Sequence, residues 1–120
     1  MGAVIRMLSA FDLRPGVDWS DFRLSYAAFL EELRAADLIL SAGQPGTRVR
    51  DTPMDTDDAR THQCFSVMEF RDREQMDRAY AHIEARLKPG TDCHIRMYRQ
   101  ITNSVFLCWH EDDLEKGATT

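Results

Sequence analysis

Arg6 and Glu69 are the polar members of two otherwise apolar, alternating segments of this 120-residue chain. A guanidinium and a carboxylate on adjacent strands form an ion pair that holds register. Set instead in an apolar space, the same guanidinium would suit a carboxylate or phenolate ligand. His110 closes the last apolar segment. An imidazole there would serve as a general base near neutral pH, or simply stand exposed at a strand end. Arg6, Glu69 and His110 are therefore the candidate ligand-binding residues, and no residue is singled out as catalytic.

Three histidine–cysteine pairings occur, His62-x-Cys64, Cys93-His94 and Cys108-x-His110. Residues two apart on a strand share a face, so two of these pairs would present both side chains together. Zinc wants four ligands at about 2.0–2.3 Å. If the strands carrying His62 and His110 flank a third, they stand about 9–10 Å apart, too far for an easy shared site. Buried or half-buried thiols without metal are the better expectation. Asp51, Asp55, Asp57 and Asp58 crowd the connection over 52–60, but they lack the spacing and terminal glutamate of an EF-hand. That segment reads as a solvated loop. His82 reads as solvent-facing, and Tyr98 as either cavity lining or core.

The elements that must position these residues follow from periodicity. Residues 3–13 alternate with period two, Ile5, Met7, Ser9 and Phe11 on one face and Val4, Arg6, Leu8 and Ala10 on the other, which predicts a strand. Arg14-Pro15-Gly16 stops it. Asp18 is an N-cap, with Val17 and Phe22 at the staple positions. Trp19, Phe22, Tyr26, Phe29 and Leu33 then form a helical stripe ending near Ala36, with Phe29 in the core. Residues 38–51 read as one irregular, edge-like strand broken by Gly43-Gln44-Pro45-Gly46. Residues 62–70 form another strand, and Asp72 caps a helix whose stripe is Met76, Ala79, Tyr80, Ile83 and Leu87, ended by Lys88-Pro89-Gly90. Residues 91–101 fit a short helix better than a strand, and 104–110 form the last strand. The expected domain is 1–110, followed by a polar tail over 111–120.

The net charge is −5 and no basic stripe is present, so nucleic acid is not an expected partner. No apolar run nears the roughly 20 residues that span a bilayer, so no membrane partner is expected either. Three widely spaced cysteines make a poor disulfide framework, which points to a reduced, cytoplasmic protein. No cofactor is expected from these motifs.

Strand, helix, strand, strand, helix, short helix, strand is an α+β order, and its helices must pack on one face of one antiparallel sheet. With Phe11-Asp12-Leu13-Arg14-Pro15-Gly16 after strand one, the long 19–36 helix, Val67-Met68-Glu69-Phe70 leading into Asp72, and the terminal strand through Val105 and Trp109, the chain resembles the ferredoxin-like βαββαβ sandwich of the dimeric α/β-barrel superfamily. The resemblance covers nearly the whole chain and implies a homodimer. That superfamily includes cofactor-independent monooxygenases, haem-degrading enzymes, dehydratases, chlorite dismutase relatives and stress-responsive proteins, so it implies no single reaction. The asparagine, tryptophan and histidine pattern of the haem-degrading members is not matched by Asn103 and Trp109, and those roles are not carried over. The expectation is a homodimer binding a small apolar or aromatic molecule between its two sheets, as a monooxygenase or isomerase. The alternative is a non-catalytic dimeric stress-response or regulatory module.

Overall fold

A computed structural model describes residues 3–86 and 93–111, the side chains of 86 and 93–95 excepted. The Lys88-Pro89-Gly90 stop, Leu87, the Cys93-His94 pair and the tail over 112–120 lie outside what is described. The elements in order are β1 (Ile5–Leu13), α1 (Trp19–Ala35), β2 (Ser41–Ala42), β3 (Gly46–Thr47), β4 (Cys64–Phe70), α2 (Arg73–Arg86), α3 (Cys93–Tyr98) and β5 (Ile101–His110).

The strands form one antiparallel sheet in the order β2-β4-β1-β5, with β3 also pairing with β4. The expected flanking of the first strand by β4 and β5 is thus present. Period-two alternation sends Ile5, Met7, Ser9 and Phe11 of β1, and Cys64, Ser66, Met68 and Phe70 of β4, toward the helices. The intervening residues form the opposite, open face. The single irregular strand expected over 38–51 is instead two short pieces, separated where Pro45 has no N–H to donate. Backbone bonds from Leu40 to Glu69 (2.8 Å), Gly43 to Val67 (3.0 Å) and Arg48 to Gln63 (2.8 Å) carry the edge past the break.

Helix α1 is held at both ends by local chemistry. Asp18 accepts from the Ser20 N–H at 3.1 Å, satisfying a first-turn donor. At the other end Asp37 takes the left-handed conformation (φ 56°), its N–H reaching Arg34 O at 3.0 Å while Leu38 N–H reaches Leu33 O at 2.8 Å. That pair of bonds is the Schellman motif, with aspartate where glycine is usual, and its hydrophobic pair Leu33 and Leu38 is buried. The stripe of α1 packs as expected. Phe11, Phe22, Tyr26 and Phe29 form a chain of ring contacts with centroids 5.1, 5.8 and 6.3 Å apart, and Trp19 stacks on Phe22 at 5.6 Å.

Helix α2 differs from its expected stripe. Ala79 is buried and Met76 and Ile83 are half-buried, but Tyr80 is 66% exposed. The most deeply covered residue on α2 is polar. Gln75 N–H donates to Asp72 Oδ1 (2.9 Å), its Oε1 accepts from Arg71 N–H (2.7 Å), and its Nε2 donates to the Asp37 carbonyl (3.2 Å). One side chain thus caps α2 and ties it to the end of α1.

Candidate functional site

The two faces of the sheet carry different candidate sites. On the open face, register sets Ser41, Glu69, Arg6 and Trp109 in one row across β2, β4, β1 and β5. Arg6 Nη2 meets Glu69 Oε2 at 3.0 Å and Glu111 Oε2 at 2.9 Å, Arg6 Nε donates to Glu111 at 3.0 Å, and Ser41 donates to Glu69. The expected cross-strand pairing of Arg6 with Glu69 is therefore real, and it extends to two residues that sequence reading missed. With its donors turned to two carboxylates, Arg6 is occupied, and the row is partly exposed.

Below that row the open face is apolar for two rows, Leu8 with Val67 and Leu107, then Ala10 with Phe65 and Val105. It turns polar again at Asp12, which accepts from Gln63 N–H (2.9 Å) and Asn103 Nδ2 (3.3 Å). Leu107 is 54% and Trp109 44% exposed. An apolar band between polar rows has the anatomy of a protein interface.

His110 does not join Arg6 and Glu69. It pairs with Ile5, so it shares the helix-covered side of the sheet and stands exposed at its end. His62 is buried, and its Nε2–H donates to the Asn103 carbonyl at 2.8 Å. His82 is not solvent-facing as expected. Its Nε2 bonds Glu32 at 2.7 Å, linking α1 to α2. The aspartates of the 52–60 connection are not merely solvated either. Asp55 takes Arg48 in a bidentate pair at 2.6 and 2.8 Å, and Arg48 also donates to the carbonyls of Asp57 (2.8 Å) and Arg60 (2.6 Å). The Arg48 hydrogen bonds hold the Asp55 carboxyl at about 2, well below its ordinary value. Among the described residues no group of three His, Cys, Asp or Glu side chains is placed to hold a metal.

A cavity of about 560 Å³, open at one side, lies on the helix side between the sheet and α1, α2 and α3. Its floor is two transverse rows, Met68, Met7 and Cys108, then Ser66, Ser9 and Phe106. Tyr26 and Phe29 of α1, Met76 and Ala79 of α2, and Met97 and Tyr98 of α3 wall it. The walls are overwhelmingly apolar. The exposed members of the lining, Asp77 and Tyr80 on α2 and Phe106 and Cys108 on β5, mark its mouth. Burial pushes the Tyr26 phenol up, opposed in part by the neighbouring Ser66 hydroxyl and the Arg34 charge. Burial also raises Tyr98, to which Tyr80 adds, and the Cys108 thiol. A site between two sheets was expected, yet this cavity lies on the other side of the same sheet, and neither Arg6, Glu69 nor His110 lines it.

No protein-family model matches the sequence, and no curated protein matches it closely. Solved structures do match along nearly the whole chain. A dimeric ferredoxin-like protein of unknown function from Thermobifida fusca is 14% identical with a TM-score of 0.62, covering 92% of this chain and 93% of that one. The fold is ferredoxin-like. Hydroxynitrile lyase from Passiflora edulis shares this ferredoxin-like architecture at 11% identity, with a TM-score of 0.68 over 94% of this chain and 97% of that one. SnoaB, a cofactor-independent oxygenase from Streptomyces nogalater, shares it at 11% identity, with a TM-score of 0.57 over 93% and 96%. At such identities the ferredoxin-like likeness establishes architecture and leaves the chemistry of each cavity to its own residues.

Proposed function

We propose that the chain forms a homodimer through the open face of its sheet, and that each protomer binds a small apolar or aromatic molecule in the cavity beneath its helices. The observation that carries this is the cavity itself. A space of about 560 Å³, open at one side and walled by apolar side chains, is built as a ligand pocket is built. The homodimer draws support from the banded open face and from the dimeric ferredoxin-like protein of Thermobifida fusca. In the homodimer the Arg6 row would be an interface rim holding register, not a ligand anchor.

An enzymatic version of this reading draws its support from the oxygenase and the lyase of the same fold. A chemical step in the cavity would have Tyr26, Tyr80, Tyr98, Cys108 and Asp77 as its titratable neighbours among the described residues. Of these only Asp77 is a carboxylate, and it stands at the mouth, paired with Arg73 at 3.0 Å. Binding is therefore the better supported activity.

Titration with N-phenyl-1-naphthylamine, an uncharged dye that brightens in apolar surroundings, tests the cavity. Ala79→Leu, which narrows it, should weaken dye binding. Absence of binding to the parent protein would sink the reading. Light scattering at micromolar concentration should report a dimer, and a stable monomer would remove the interface from the proposal.

A further inference from the structure

The cavity lining constrains the charge of whatever enters. Among the described residues it contains no lysine, arginine or histidine, and Asp77 at the mouth is its one carboxylate. Deeper in, the polar groups are hydroxyls. Ser9 and Ser66 lie side by side on adjacent strands, both buried, and Tyr26 is only 4% exposed. An ionised carboxylate brought there would lose its hydration and meet no cationic side chain among the described lining residues, an arrangement strongly disfavoured in a protein interior.

Resting on the ligand cavity proposed above, we infer that its ligand is uncharged: an apolar or aromatic body seated over the Met68, Met7 and Cys108 row, with any hydroxyl or carbonyl group directed to the serines or the mouth. It sets aside the alternative, raised for an Arg6 standing in an apolar space, of a carboxylate or phenolate ligand. Arg6 sits behind the sheet, on the far side from the cavity, with its charge already taken by Glu69 and Glu111. Three acids in the wall respond to the same environment. Tyr26, Tyr98 and Cys108 are each shifted toward the neutral form, with burial the leading cause. Burial that favours the neutral form of these groups disfavours a visiting anion for the same reason. Size adds a limit. About 560 Å³ suits a body of two to four fused rings or a comparable branched hydrocarbon.

Displacement of bound N-phenyl-1-naphthylamine from the full-length protein near pH 7 tests the charge rule. The matched competitors are 9-anthracenemethanol and 9-anthracenecarboxylate, close in shape and different in charge. The alcohol should displace the dye, and the carboxylate should be weaker by roughly tenfold or more. Cys108→Arg places a cation in the wall at an exposed position and should bring the carboxylate close to the alcohol. Tyr80→Arg, on the exposed side of α2, is a second placement should the first disturb folding. Equal displacement by both competitors in the parent protein would overturn the charge rule while leaving the cavity standing. So would continued exclusion of the carboxylate in both arginine variants. Failure of the dye itself to bind would overturn the cavity reading and the charge rule together.

Discussion

Two helices cover one face of the same sheet, and they do so differently. Helix α1 reaches the sheet with Phe22, Tyr26, Phe29 and Leu33, all nearly inaccessible, their rings continuous with Phe11 of β1. Helix α2 turns toward the sheet with Ala79, Met76 and Ile83, and its most buried side chain, Gln75, is spent on backbone bonds at its first turn. Large rigid rings carry α1 to the sheet and form one wall of the cavity. Small or flexible side chains on α2 do not close the space opposite them, and the cavity is the result. One helix supplies stability and the other supplies room.

That contrast can be broken by substitution. Phe29→Ala, in the α1 ring stack, should destabilise by about 3–5 kcal/mol in urea denaturation. An unchanged midpoint would show that α1 does not carry the core. Gln75→Leu should follow at about 1–3 kcal/mol, because the part-buried Arg71 N–H and Asp37 carbonyl would lose their partner. A smaller loss would mean that water replaces the side chain and that α2 is tied to α1 elsewhere, as through His82 and Glu32. Ala79→Leu should act in the opposite direction and least, raising stability by up to about 1 kcal/mol by filling space. A loss of about 1–3 kcal/mol, the signature of an overpacked core, would show that α2 is seated as tightly as α1.

Much of the α1 side was legible before any coordinates. Rings recurring at three and four residues define the buried face of α1, and Asp18 with Val17 and Phe22 marks its start. The pairing of Arg6 with Glu69 was legible too, since antiparallel neighbours with period-two alternation place them opposite each other. The cavity was not. An unfilled volume depends on how far a helix stands from a sheet, which residue spacing alone does not encode. A signal was nevertheless present. The α2 stripe offers Ala79 and Met76 where α1 offers phenylalanine and tyrosine, and such a stripe cannot fill an equal gap. Gln75 could have been found from the Asp72-x-x-Gln75 spacing of a capping box. The face of His110 could not, because the register of β5 against β1 decides it and includes an irregularity between Ala10 and Asp12.

The arginine at position 48 has a consequence for the long connection that leads into β4. Its guanidinium is the hub on which Asp55 and the carbonyls of Asp57 and Arg60 converge, so a segment without helix or strand behaves as one latch with a single pin. Such a latch should let amide exchange and proteolytic cutting begin everywhere along the segment at once or nowhere. Acid is the means to pull the pin. The Asp55 carboxyl is depressed from an ordinary 3.8 to about 2, so its contribution is complete above the ordinary value and is lost as pH falls toward the lower one. The stability gap between the parent protein and Asp55→Asn should therefore stay constant from neutral pH down to about 5, shrink below about 4, and close near 2.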